Sequence, residues 1–580
     1  MRKDIIVGID FGTAGIGYAF STENQPNSII QADLEGQNQS RKVPNEIILS
    51  SDLKFILAFG AQCKQYIINN DNSDYEYFKN IKMNLYKKIY KIKSQRGKEV
   101  DIDIVISKIL EEISAKALTQ IKRVMNYSVK KEDIKWVLTV PAIWEEKSKQ
   151  IMIKASLNAG LIDENTDKSL FLALEPEAAS IYYLEILLQQ KKFHNPHIEQ
   201  GSPYIICDIG AGTVDICTHR KIKQNDNSFI IYEEYPPIGG DFGGKKINEE
   251  FINRLIIPLF GKEKVNELKN SHDNYDEWIT FENNIEMLKK SLSNNLNDIL
   301  YLDCRLFESE KKNLNDYISE YYKNNSYYKY KIQNKNKNSA KNKWILQFDS
   351  QIFHDIMMEL ARKIFTKIEE IYNDVHTNYI IFSGAGAENH ILTNYIIKCS
   401  NQKNIKLTTN ITINPEVAII NGAVLFGFQR DIIRKRKAKF TLGIQVNEKW
   451  ATKYQEKGVK TFLQCANDYF CTNLFSKYIT INQYIDYDNI ITHNYNALDK
   501  RTNISFYKTF KDNCIYTDEK DESGNLVIHK FGETTFDIGE DYDINQKSMT
   551  IKMNLGGTYI DVCAIYDKTG RSIHITKSFI

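Results

Sequence analysis

Ile5-Ile6-Val7-Gly8-Ile9-Asp10-Phe11-Gly12-Thr13-Ala14-Gly15-Ile16-Gly17-Tyr18-Ala19-Phe20 is the stretch on which the fold turns. An apolar run ends on a carboxylate, a short glycine-bearing loop follows, and apolar residues resume through Phe20. This grammar predicts strand, turn and strand, a hairpin rather than a strand leading into a helix. It returns at Tyr204-Ile205-Ile206-Cys207-Asp208, Ile209-Gly210-Ala211-Gly212-Thr213 and Val214-Asp215-Ile216-Cys217. Recurrence at so long a distance predicts two related lobes, not a short-period solenoid.

Working outward, apolar residues recur at spacings of three and four from Asp101 to Tyr127, including Ile102, Ile106, Ile109, Ile113, Ile121 and Val124, which predicts an amphipathic helix. Trp136-Val137-Leu138-Thr139-Val140-Pro141 reads as a buried strand, and Glu145 to Ala159 as helix again. Alternating strands and helices predict an α/β architecture. Residues 308–343 are rich in Lys, Asn and Tyr and predict a solvated insertion, with a tyrosine-lined partner surface as the alternative. Order resumes at Asp349-Ser350, an expected helix N-cap. Beyond Phe440 the pattern turns to short alternating segments at Tyr478–Ile481, Ile504–Tyr507, Leu526–His529 and Ser548–Met553, then a terminal hairpin around Asp567-Lys568-Thr569-Gly570. The expected division is a nucleotide-type unit over 1–437 and an all-β unit without a helical tail over 438–580.

The chain has 580 residues, 42% hydrophobic and 26% charged, which suits a multidomain globular protein and excludes a disordered one. Lys+Arg (76) nearly cancel Asp+Glu (74), so overall charge gives no argument for nucleic acid or an anionic membrane. The nine cysteines are scattered without metal-ligand spacing, as expected of buried thiols. Neither a signal peptide nor a membrane span is expected, so the sequence reads as cytosolic, or nuclear.

A phosphate-binding loop must bring backbone N–H groups close to anionic oxygens, and glycine permits that approach. Gly12, Gly210 and Gly212 meet the need, and each loop is preceded by a carboxylate, Asp10 or Asp208. Magnesium prefers a few carboxylates, water and substrate phosphate, so two aspartates facing one cleft would suit Mg-nucleotide. No GxxxxGK[ST] motif occurs, which excludes a P-loop enzyme. Taken singly, either loop could be an ordinary hairpin turn; the pairing favours phosphate.

With these loops, the sequence resembles the actin, hexokinase and heat-shock superfamily, and within it the 70 kDa heat-shock proteins, especially their family-12 branch. Supporting segments follow in order: Trp136 to Ala142, Leu174-Glu175-Pro176-Glu177-Ala178-Ala179, Ile238-Gly239-Gly240-Asp241-Phe242-Gly243-Gly244, Glu286 to Ser293, Phe382-Ser383-Gly384-Ala385-Gly386-Ala387-Glu388, Ala418 to Gly427 and Leu555 to Val562. The resemblance implies a two-lobed actin-like ATPase domain of duplicated ribonuclease-H-like lobes. Lobe I would span about 1–200, lobe II about 201–400, with a return to lobe I over about 401–437.

The resemblance also implies site roles. Asp10 and Asp208 would hold Mg2+ through water. Gly12, Thr13 and Ala14, with Gly210, Ala211, Gly212 and Thr213, would line the phosphates. Glu175 would orient or deprotonate the attacking water, and Lys82 would offset charge on the transferring phosphoryl group, with Lys79 as the competing register. Gly239 and Gly240, Glu286, Lys289, Lys290 and Ser293, and Gly384, Ala385 and Gly386 would bind the rest of ATP or ADP. Bland readings stand beside these: Lys82 as a solvated lysine, Glu175 as the end of a strand, the 286–293 set as an exposed helix face.

Departures from the family pattern are Ala14 for a hydroxyl residue, Ala211 for a loop glycine and Glu388 for an adenine-stacking arginine, which predict weaker nucleotide binding or hydrolysis. The joint Arg430-Asp431-Ile432-Ile433-Arg434-Lys435-Arg436-Lys437-Ala438-Lys439 is basic, where relatives are apolar and acidic. A solvated charge run is its expected state, a nuclear-import or polyanion contact the alternative. Together these predict a chaperone-like ATPase with polypeptide clients or signalling partners. The alternative is a nucleotide-responsive scaffold or pseudo-ATPase; a sugar kinase would need an aspartate base that the sequence does not offer.

Overall fold

Strands Ile5–Phe11 and Gly15–Thr22 form the expected antiparallel hairpin, with Asp10 opposite Gly17. The structure is a computed structural model. It describes residues 4–34, 41–70, 74–125, 129–163, 169–189, 198, 200–225, 228–270, 275–308, 330–334, 344–412, 414–543 and 545–574. The hairpin extends to Gln25–Gln31 on one side and, in parallel, to Ile134–Val140 and Leu170–Leu174 on the other. Ile5–Phe11 is buried along its whole length because both sheet faces are covered, which is why it reads as unbroken apolar sequence. Ile5, Val7, Ile9 and Phe11 enter the core beneath helix Ile102–Met125, while Ile6 enters the core beneath helices Glu175–Gln189 and Pro415–Phe428. The described helix spans Ile102–Met125, with Tyr127 of its expected range outside the described residues, and Val124 is exposed rather than buried.

The second lobe repeats this plan. Tyr204–Ile209 and Val214–Lys223 form its hairpin, Phe229–Gly240 extends it antiparallel, and Tyr379–Ser383 and Thr408–Ile411 extend it in parallel. Its largest core packs helix Gln351–Val375 and the aromatic residues Trp278, Phe281, Phe251 and Phe353 beneath the sheet. Ser350 precedes that helix, but its hydroxyl bonds Asn295 O instead of capping the helix. Most of 308–343 lies outside the described residues. Tyr330–Asn334 does not follow the solvated reading: it pairs with Trp344–Asp349, which also pairs with Ile299–Asp303, and Tyr330 is buried.

The basic joint is neither solvated nor free. Ile433–Lys437 is a strand laid parallel on Phe229–Gly240, and Tyr484–Asp486 pairs with its other edge, completing a seven-stranded sheet. Arg436 is buried and makes two bonds to the Glu177 carboxylate and one to Gly556 O. Arg434 pairs with Asp488 at 2.7 Å, and Lys437 donates to Glu234 O. The charges of Arg434, Arg436 and Lys437 are therefore answered inside the molecule, while Arg430 is exposed.

From Thr441 to His574 the described elements are strands and short 3-10 turns. Five strands run in the order Lys460–Leu463, Asp468–Ile479, Thr441–Lys449, Arg501–Thr509 and Ile528–Asp537. Four more run Ile490–Asn496, Ser548–Asn554, Asp561–Tyr566 and Arg571–His574. Ile444, Ile504 and Phe506 from the first sheet share a core with Met549, Ile551 and Val562 from the second. The 555–560 loop reaches lobe I: Ile560 N donates to Glu146, and Lys149 donates to Thr558 O at 2.6 Å. Among the described residues no helix is long and apolar enough to cross a membrane. Cys465 is exposed and Cys563 half-buried, against the expectation of buried thiols, which the other cysteines meet.

Candidate functional site

Each hairpin delivers a buried aspartate to the cleft between the lobes. Asp10, next to last in its strand, lies opposite Thr139 of the parallel neighbour, whose hydroxyl donates to Asp10 at 2.9 Å. Asp208, next to last in the equivalent strand, lies beside Ser383 and opposite Asp215. At Gly12 a Cβ would lie 2.3 Å from Gly15 O, so the tight first loop admits no side chain there. At Gly212 a Cβ would lie 2.6 Å from the Thr13 hydroxyl and 2.3 Å from Met83 Sδ: the two loops meet here.

Lys82 follows Asn80, which takes a left-handed backbone turn (φ 57°) into the helix Ile81–Tyr86. That turn separates the two candidate lysines. Lys82 is buried and hydrogen-bonds Glu175, whereas Lys79 lies at the surface, 3.7 Å from Glu282. Glu175 does more than end its strand: it is the first residue of helix Glu175–Gln189. Asp215 joins the group, accepting from Ile143 N at 3.0 Å and from Thr213.

Burial raises the Glu175 carboxyl to about 7, with Lys82 opposing the rise and Asp10 and Asp215 adding to it. Burial, then the charges of Glu175, Asp215 and Asp10, raise Asp208 well above its usual range, and burial also raises Asp215. Asp10 differs: burial would raise it, but Lys42 and Lys82 outweigh burial and hold it low. Lys82 stays charged, its burial outweighed by Glu175 and Asp10.

Asp208 Oδ1 and Asp215 Oδ2 are buried with no hydrogen-bond partner among the described residues. Unanswered carboxylate oxygens in a cleft lined with glycine amides are the surroundings a hydrated cation and phosphate require, so the residues fit Mg-nucleotide. Among the described residues no cluster of three or more His, Cys, Asp or Glu could hold a metal ion.

The remaining expected contacts fall as follows. Gly239 and Gly240 lie at the end of strand Phe229–Gly240, paired with Asp215 and Val214. Gly243 and Gly244 stand over the second loop, donating to Gly212 O and Gly210 O. Glu286 and Lys289 are bonded to each other, and Lys289 also donates to Gly244 O at 3.0 Å. Lys290 is largely exposed. Ser293 does not share their helix face, because the helix ends at Lys290 and its hydroxyl bonds Asp298. Gly384, in the left-handed region at φ 79°, lets its turn pass so close to the second loop that a Cβ would lie 2.4 Å from Asp208 Oδ1. Gly386 packs on Ile209, while Ala385 and Glu388 are exposed.

Sequence reasoning missed three residues. Asp215 had a signal, a charge within an otherwise apolar strand. Lys42 pairs with Asp10 at 2.6 Å, and Lys245 reaches from lobe II to Asn80 and Thr13 O of lobe I. Neither lysine has a local signature.

The family model described as Hsp70 protein matches residues 6–323, more than half of the chain. Heat shock 70 kDa protein 12A of Mus musculus is 24% identical over 99% of this chain and 91% of its own length. Heat shock 70 kDa protein 12B of Homo sapiens is 22% identical over the same shares. Chaperone protein DnaK of Ureaplasma parvum serovar 3 is 27% identical over 47% of this chain and 38% of its own.

Proposed function

The chain belongs to the Hsp70 protein family, and from that premise we propose that it binds and slowly hydrolyses ATP, coupling the nucleotide to polypeptide or partner binding. The observation that carries this reading is the cleft floor, where the Lys82–Glu175 pair lies among Asp10, Asp208 and Asp215, with carboxylate oxygens left unanswered. Magnesium held through water by Asp10 and Asp208 would neutralise phosphate oxygens. Glu175 takes the proton of the attacking water as its oxygen bonds to the γ-phosphorus and the β–γ bridging bond breaks. Lys82 keeps Glu175 in place and presents fixed positive charge. Thr13 and Thr213 supply hydroxyls to the phosphates, and the backbone amides of Ala211, Gly212 and Thr213 supply donors. Residues 1–437 form the nucleotide unit and 438–580 the partner-binding β unit in this reading.

Single-turnover hydrolysis tests it. Measurable turnover, lost by about 10²-fold or more in Glu175→Gln, is expected of a general base. Asp10→Asn and Asp208→Asn should abolish Mg-ATP binding or turnover, and unchanged behaviour in both would refute the site. The second reading, a nucleotide-responsive scaffold in signalling or cytoskeletal assembly, is favoured by the ion pair itself, since a base tied to Lys82 is a poorer base. Binding without turnover would support it.

A further inference from the structure

Lys42 and Lys82 each answer a carboxylate of lobe I, and the nucleotide reading uses only Lys82. Lys42 Nζ lies 2.6 Å from Asp10 Oδ2, and its side chain is 18% exposed. This is not a loose surface lysine. Val43–Pro44 pairs with Gly15 and Ile16 of the first hairpin. Asn45 binds the phosphate loop twice, from its side chain to Gly12 O at 2.8 Å and from its backbone to Ala14 O at 3.2 Å. Two glycines let this strap lie flat. A Cβ at Gly17 would sit 2.4 Å from Arg41 O and 3.0 Å from Lys42 Cγ, and one at Gly15 would sit 3.3 Å from Lys42 Cβ. The chain therefore builds a seat for the lysine stem directly across the first phosphate loop, where Ala14 provides no hydroxyl.

The charges divide unevenly between the lobes. In lobe I, Asp10 is answered by Lys42 and Glu175 by Lys82; in lobe II, Asp208 and Asp215 each keep an oxygen without a hydrogen-bond partner among the described residues. A divalent cation would therefore meet an already neutralised carboxylate on one side and unanswered ones on the other. An ammonium beside a loop of backbone donors is also well placed to move from carboxylate to phosphate oxygen, exchanging one charge-assisted bond for another.

We propose that Lys42 is a phosphate-binding residue that supplies, at the first loop, part of the positive charge otherwise left to the divalent cation, so that this chain depends less on magnesium for holding ATP. The proposal rests on the nucleotide reading above and is tested on the full chain by calorimetric titration with ATP, in excess Mg2+ and in EDTA. The readout is the ratio of the two dissociation constants. Lys42→Met should widen that ratio by at least about tenfold relative to wild type, while Lys42→Arg, which keeps the charge, should not. Lys42→Gln provides a second neutral variant should the methionine disturb the strap. A smaller widening in the neutral variants, or an equal one in Lys42→Arg, overturns the proposal while leaving the nucleotide site standing. Wild-type protein that binds ATP in neither condition overturns both.

Discussion

Asp208 is held at a cost. Its carboxyl is buried among Glu175, Asp215 and Asp10, with one oxygen unanswered among the described residues, and it is raised well above its ordinary value of 3.8. A carboxyl raised on folding favours the folded state at low pH and loses that contribution as pH rises through its folded value. At pH 8, far above that ordinary value, burying the carboxyl therefore costs the ligand-free protein stability. Asp208→Asn should stabilise the ligand-free chain there by about 1–2 kcal/mol while removing Mg-ATP binding. Thermal unfolding at that pH checks the first effect, and a variant less stable than wild type would contradict it. Glu175, raised to about 7, must be ionised to accept a proton. Single-turnover rate should accordingly rise with pH through about 7 and level off above it, and a rate flat across that range would remove Glu175 as the base. The two aspartates were legible because strand, carboxylate and glycine are neighbours in sequence. Lys42 was not, because its role exists only through Asp10, far away along the chain.

At the scale of elements, Glu175 depends on two helices pressed together. Pro415–Phe428 crosses Glu175–Gln189 so closely that a Cβ on Gly422 would lie 1.7 Å from Ala178 O. Backbone oxygen cannot move aside as a side-chain tip can. Gly422→Ala should cost about 3 kcal/mol in urea unfolding and lower turnover by displacing the first turn of the 175 helix. Retained stability and rate would show that the helices can part without consequence. The hairpins and the long helices were readable from local period. Ser293 was misplaced because spacing alone does not say where a helix stops; here it stops at Lys290, and Ser293 turns to Asp298. The order inside Tyr330–Asn334 was hidden by polar composition, since its partner strand Trp344–Asp349 carries most of the apolar residues.

Across the whole molecule, Arg436 ties three regions: the joint that carries it, the 175 helix through Glu177, and the β portion through Gly556 O. Removing one member of a buried pair leaves the other charge uncompensated, at about 3–5 kcal/mol. Arg436→Met should show that loss in urea unfolding, and Glu177→Leu combined with it should recover much of it, since an apolar pair strands no charge. Additive losses in the double variant would mean that the pair does not act as a unit. Sequence reading took this run for a solvated one because charge, taken alone, says nothing about which distant carboxylate will meet it.

The late arrival of Tyr484–Asp486 in the lobe II sheet bears on how the chain is made. Because the seventh strand lies beyond the joint, a ribosome that has released residues 1–437 has still not finished the sheet they build. Until residue 486 emerges, Ile433–Lys437 presents an open row of backbone donors and acceptors, the kind of edge on which neighbouring chains pair and aggregate. A fragment cut at 437 would carry that edge permanently, because the strand that covers it is lent by the β portion.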